Sequence, residues 1–153
     1  MDNRKLIAEN RDFLIKQSEM LQAIISRMAS NSLTIKQLGL TLWTTLLGFG
    51  FTNKTKSLFV LAFISYTLLG FFDGYYLYLE KRFRYNFNQL TEILCGFNNE
   101  SLDKFQIFKG NFIALERLSR KEAVQFYLNT LASWANLPYL IILAITLIIL
   151  RAS

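Results

Sequence analysis

The 153-residue chain contains no histidine, a single cysteine (Cys95) and a single proline (Pro138). Without histidine there is no Ser-His-Asp or Cys-His nucleophile, no imidazole base and no Cys/His metal cluster. One cysteine forms no intrachain disulfide, and Cys95 reads as a reduced structural thiol. The seven glycines fall into no P-loop or dinucleotide-binding pattern. A carboxylate-only site is the one catalytic arrangement left, with Glu80 or Glu92 the residues turnover would need. The expectation is therefore a protein that is not an enzyme, with no catalytic residue, metal or cofactor.

What the chain has in excess is apolar weight: 52% hydrophobic residues, with 14 Phe and 7 Tyr, more than an ordinary soluble domain of this size carries. It is clumped into three runs without charge, residues 37–53, 57–72 and 123–150. A membrane-crossing helix needs roughly 17 to 25 mostly apolar residues, because about 1.5 Å of rise per residue must cover about 30 Å of hydrocarbon. The fold class expected is all-α: an integral membrane protein of about three transmembrane helices with a cytoplasmic helical part. The third run is the weakest span, since its dense part is short and restarts near Pro138.

Lysine and arginine set the orientation. Six precede the first run (Arg4, Lys5, Arg11, Lys16, Arg27, Lys36) and eight lie between the second and third (Lys81, Arg82, Arg84, Lys104, Lys109, Arg117, Arg120, Lys121), against Lys54 and Lys56 in the intervening hairpin. The N-terminus is thus expected in the cytoplasm and the hairpin outside. Four segments follow: an amphipathic cytoplasmic helix at 1–32, a transmembrane hairpin at 33–80, a cytoplasmic stalk and loop at 81–122, and an interfacial helix plus C-terminal span at 123–153. In the first, Ile7, Leu14, Leu21 and Met28 recur every seven residues with Leu6, Phe13 and Met20 beside them, a face for oligomer assembly, for packing on the chain's own helices or for the membrane surface. "ASNS" at 29–32 breaks that helix, and Thr34 with Gln37 has capping-box spacing for the next. Ser119 with Glu122 has it again.

Two features carry functional chemistry. Asp73 sits where the second run meets a belt of Tyr75, Tyr76 and Tyr78 followed by Lys81, Arg82 and Arg84. An ionisable group beside hydrocarbon is costly unless paired or facing water. Gly70 and Gly74 bracket it at the spacing that admits another helix closely. It is an intersubunit contact, the vestibule of a pore, or a locally paired carboxylate. The second feature is a stripe at helical spacing through the first run, Thr34, Gln37, Thr41, Thr44, Thr45, Gly48 and Thr52, either a conduit lining in an assembly or a packing seam.

"SEMLQAIISRMASNS" leading into one span and "FFDGYYLYLEKRFR" ending the next resemble small bacterial membrane proteins of antiphage defence, in particular the membrane effector of Hailong-type systems. The resemblance covers residues 17–90. It implies a homo-oligomeric ion channel, a tetramer, of the bacterial inner membrane that depolarises the infected cell and is gated by a nucleotide or short DNA oligomer made by a partner nucleotidyltransferase. The net charge of +6 suits an anionic ligand. Arg117, Arg120 and Lys121, at a helix start, are the expected ligand-binding group, with Lys81, Arg82 and Arg84 assisting. Phe105, Phe108 and Phe112 would either stack on bases or fill a core. The alternative to a channel is a non-conducting scaffold that recruits a cytosolic partner.

Overall fold

A computed structural model describes residues 9–95, 111–115, 118–131 and 133–152. Among these the protein is all-helical, without a strand: α1 (Arg11–Asn53), α2 (Lys56–Cys95), α3 (Arg120–Leu131), one 3-10 turn (Trp134–Asn136) and α4 (Leu137–Ala152). One helix, α2, is long and apolar enough to cross a membrane. The uncharged part of α1 is diluted by Gln37 and four threonines. Helix α4 is apolar but has only 16 residues, about 24 Å at 1.5 Å each.

Helix α1 runs without a break through residues 29–32, where the sequence reading ends one helix and starts another. None of those four residues is glycine or proline, and serine or asparagine inside a helix costs less than about 0.7 kcal/mol against alanine. The Thr34 hydroxyl donates to the Ser30 carbonyl at 3.0 Å, continuing the helix instead of capping a new one. The α1–α2 turn is a Schellman closure: Lys54 takes the left-handed conformation at φ 52°, and the Thr55 amide donates to the Gly50 carbonyl at 3.1 Å. Pro138 lies in the first turn of α4, where its missing N–H removes no helical bond.

The chain divides into two compact units, residues 1–28 with 79–118 and residues 29–78 with 119–153. In the first, Leu14 and Leu21 of α1 pack with Leu90 and Ile93 of α2 around Phe112, all fully buried. The backbone of the 111–115 segment is tied to both helices by amide side chains. Gln17 Oε1 accepts the Phe112 N–H at 2.8 Å, while Asn86 Nδ2 donates to the carbonyls of Phe112 and Ala114 at 2.8 and 3.1 Å. Phe112 is therefore a core residue and is not free to stack on a base. Of the heptad face, Phe13 and Met20 remain exposed, and Leu6 and Ile7 lie outside the described residues.

In the second unit Leu47 of α1 packs on Phe59 and Ala62 of α2, with Ile149 and Leu150 of α4 closing over them. Trp43, Tyr66 and Tyr139 form an aromatic row, with centroids 6.3 and 4.9 Å apart. The indole N–H of Trp43 donates to Thr146 Oγ1 at 2.8 Å, a polar contact between α1 and α4 inside an apolar seam.

Candidate functional site

Helices α1 and α2 form an antiparallel hairpin about the Lys54–Thr55 turn, so positions equally far from the turn come level. Lys36 lies 18 residues before Lys54 and Asp73 lies 18 after Thr55. Asp73 is fully buried. Ser32 Oγ donates to its Oδ1 at 2.5 Å, and Lys36 Nζ stands 2.6 Å from its Oδ2. Lys36 also donates to Ser32 Oγ at 2.8 Å, closing a triangle in which two groups one turn apart on α1 clamp one carboxylate of α2. Burying a carboxylate alone is prohibitive; paired with an ammonium and a hydroxyl it persists and ties the helices in one register. The Lys36 side chain keeps 28% exposure, so the cluster has one edge open.

Of the arrangements open to Asp73, the structure contains the local pair within one chain. Gly70 and Gly74 serve that chain as well. A side chain at Gly70 would start 3.1 Å from the Tyr139 ring of α4, and one at Gly74 would start against Leu131 of α3 and 3.3 Å from the Tyr127 hydroxyl. That hydroxyl donates to the Phe71 carbonyl at 2.8 Å. The close-approach spacing thus seats the C-terminal helices on α2.

Thr41, Thr44, Thr45 and Gly48 have the opposite fate: all are exposed. Each threonine hydroxyl donates to a carbonyl one turn earlier in α1, Thr41 to Gln37 at 2.9 Å, Thr44 to Leu40 at 2.9 Å and Thr45 to Thr41 at 2.8 Å. Thr52 does the same to Gly48 at 2.9 Å. With the proton committed inward, each oxygen turns lone pairs outward. The surface is acceptor-rich and uncharged, one that hydrocarbon tolerates and that water or a cation can bind. At Gly48 an added Cβ would meet nothing within 4 Å.

The expected anion-binding cations divide between the units. Lys81, Arg82 and Arg84 belong to the first, where Arg84 is held by Glu80 through Nε at 2.8 Å and Nη2 at 2.7 Å. Arg120 and Lys121 belong to the second and are exposed; Arg117 lies outside the described residues, as do Phe105 and Phe108. The N-terminus of α3 already carries a carboxylate. Glu122 accepts the Ser119 N–H at 3.0 Å and gives its own N–H to Ser119 Oγ at 3.3 Å, the reciprocal capping box. Hydrogen bonding to the Ser119 side chain and then its backbone holds the Glu122 carboxyl below its ordinary range. An anion binding at this terminus meets that charge.

Sequence reasoning missed Ser32 and Lys36 as partners of Asp73, treating the first as part of a break and the second as a topology signal. Their signal was available in the hairpin register. Gln17 and Asn86 were missed too, and no local pattern marks them. Among the described residues no group of three or more metal-ligating side chains occurs. No family model matches the chain, and no curated protein or solved structure matches it either.

Proposed function

We propose that the protein is an integral membrane protein whose copies meet along the threonine face of α1 and conduct ions there. The observation that carries this reading is the face itself: uncharged, exposed, and lined with hydroxyl oxygens whose protons are satisfied within their own helix. Conduction needs acceptors that replace part of an ion's hydration without binding it tightly, and a row of hydroxyl oxygens supplies that. Membrane placement is supported by the outer surface of the second unit. Only 28% of the most apolar stretch of α2 is buried within the chain, whereas the core helix of a soluble protein is mostly buried. Leu61, Ile64, Leu68 and Phe72 of α2 and Leu140 and Ile148 of α4 face outward with it. In this reading α2 crosses the bilayer with the uncharged part of α1 and the shorter α4 beside it, N-terminus in the cytoplasm by the lysine and arginine distribution.

The resemblance to Hailong-type effectors supports a narrower form: a channel of the bacterial inner membrane acting in antiphage defence, gated by a short DNA oligomer, with Arg120 and Lys121 as accessible cations. Ion flux into liposomes carrying a potential-sensitive dye tests both levels. Wild type should conduct, Thr41→Leu and Thr45→Leu should change the flux, and a DNA oligonucleotide should lower it unless Arg120 and Lys121 are replaced by glutamate. A folded oligomer that passes no current overturns the channel. The second reading, a scaffold, is favoured by exposed Phe13, Ile15 and Met20, a surface suited to a helical partner.

A further inference from the structure

We propose that α3 and the 3-10 turn after it form an interfacial anchor, with Trp134 at the hydrocarbon edge and Arg120 and Lys121 turned to the phosphates of anionic lipids. This rests on the membrane reading above. Trp134 is 86% exposed, more than any other large hydrophobic side chain among the described residues. Its backbone is nevertheless held from both sides. The Ser133 N–H donates to the Thr130 carbonyl at 3.1 Å and the Asn136 N–H to the Ser133 carbonyl at 2.9 Å. The buried Asn136 side chain gives the Thr130 carbonyl a second bond through Nδ2 at 3.1 Å. The turn thus commits buried polar groups to a conformation that presents an indole outward, and a large aromatic held that way marks a surface that something covers.

Depth and charge identify what covers it. Leu131 lies against Gly74 and Tyr139 against Gly70, so the turn is level with residues 70–74 of α2, where the uncharged run 57–72 gives way to Asp73 and the tyrosines. In the membrane reading that level is the cytoplasmic edge of the hydrocarbon, where an indole, apolar in body with one N–H to donate, is at home. Helix α3 supplies the charge. At about 100° per residue, Arg120, Val124, Leu128 and Lys121 share an arc of about 100°, and all four are exposed. Val124 and Leu128 lie in the middle and a cation stands at each edge. Glu122, Gln125 and Asn129 fall outside the arc, so the acid is turned away from it. An apolar strip edged by cations is the pattern of a helix lying in a negatively charged headgroup layer, the long stems reaching phosphate while valine and leucine stay at the acyl boundary. The channel reading offers the same two cations to an oligonucleotide. The strip between them favours lipid, because a nucleic acid would leave it in water.

The test uses the full chain with Trp43→Phe, and with Trp43→Tyr as a second background, so that Trp134 is the one tryptophan left. The protein is reconstituted in mixed phosphatidylcholine and phosphatidylglycerol vesicles, one lipid at a time carrying bromine on its acyl chain to quench indole fluorescence. Bromine near the headgroup should quench Trp134 more than bromine near the chain end, and aqueous iodide should quench it little. Phosphatidylglycerol should be enriched around the indole about fivefold or more over phosphatidylcholine, the worth of one cation near a negative surface. Arg120→Gln with Lys121→Gln should abolish the enrichment at unchanged helicity, and concentrated salt should shrink it. Quenching by iodide and not by bromine overturns the anchor. Equal enrichment of the two lipids, or an enrichment that the glutamine pair leaves intact, overturns the headgroup contact; if oligonucleotide binding is lost in that pair while lipid enrichment persists, the cations belong to nucleic acid. Alkaline carbonate extraction separates the premises: a chain released by carbonate overturns the membrane reading and the anchor with it, whereas a chain that stays with Trp134 in water overturns the anchor alone.

Discussion

The carboxylate of Asp73 and the ammonium of Lys36 stand 2.6 Å apart, level with each other across a hairpin whose turn is 18 residues from either. The two sides of this pair are unequal, because Asp73 is fully buried and Lys36 is not. Lys36→Met should cost about 3–5 kcal/mol, since it strands a buried charge. Asp73→Asn should cost less, because the lysine head can turn to water on its flexible stem. Replacing both by apolar residues should recover much of the loss. Chemical denaturation in detergent, followed by circular dichroism and arranged as a double-mutant cycle, measures the coupling; additive effects of the two changes would contradict the pair.

Two glycines two residues apart, and so on opposite sides of α1, should respond in opposite ways. At Gly50 an added Cβ would sit 2.7 Å from a ring carbon of Phe59, so Gly50→Ala should destabilise by about 1–3 kcal/mol. At Gly48 nothing stands within 4 Å, so Gly48→Ala should stabilise the isolated chain by up to about 1 kcal/mol through helix propensity. If copies meet on this face, Gly48→Leu should weaken assembly without unfolding the chain. Thermal melts beside sizing of the oligomer in detergent distinguish the two.

The Phe112 clamp is a polar link within the first unit. Phe112→Ala should cost about 3–5 kcal/mol by emptying the centre of a core formed by Leu14, Leu21, Leu90 and Ile93. Gln17→Leu keeps the volume but leaves the buried Phe112 N–H without its acceptor, an expected loss of about 1–3 kcal/mol. Hydrogen exchange at the Phe112 amide reads this directly: it should accelerate in Gln17→Leu while amides near the Lys54 turn do not change.

Trp43 and Thr146 test the seam between α1 and α4. Trp43→Phe or Thr146→Val removes the 2.8 Å bond from the indole N–H to Oγ1. Each should cost about 0.5–1.5 kcal/mol, and the double change little more than either. Full additivity in a denaturation cycle would contradict the contact.

Protonation should open the start of α3. In the folded chain Glu122 has a lowered pKa because it is hydrogen-bonded to Ser119. Its stabilising effect is therefore complete above the unfolded carboxyl pKa and is lost as pH falls through the folded one. The Ser119 amide should exchange faster across that acid window and be indifferent to it in Glu122→Gln. Both groups are exposed, so the effect is confined to the first turn.

Much of this protein is legible locally. The helical class follows from long apolar runs without charge, and the start of α3 from a serine and a glutamate three residues apart, which need only their own backbone to form a capping box. The apolar length of α2 is likewise a property of one segment. A break at residues 29–32 was the local inference that failed, because Ser32 finds in Asp73 a partner that composition does not reveal.

What the tertiary structure decided is which residue meets which. The sequence placed an aspartate between two glycines at the end of an apolar run, and that pattern serves equally for another subunit, a pore or a neighbour in the same chain. Only the packed hairpin seats Lys36 opposite Asp73, turns Gly70 and Gly74 toward Tyr139 and Leu131, and leaves the threonines of α1 uncovered. The reason is physical: helix formation is governed by interactions within about four residues, which any segment carries in itself, whereas the identity of a buried partner depends on register across chain separations of tens of residues. A turn at Lys54 and Thr55 converts that separation into contact.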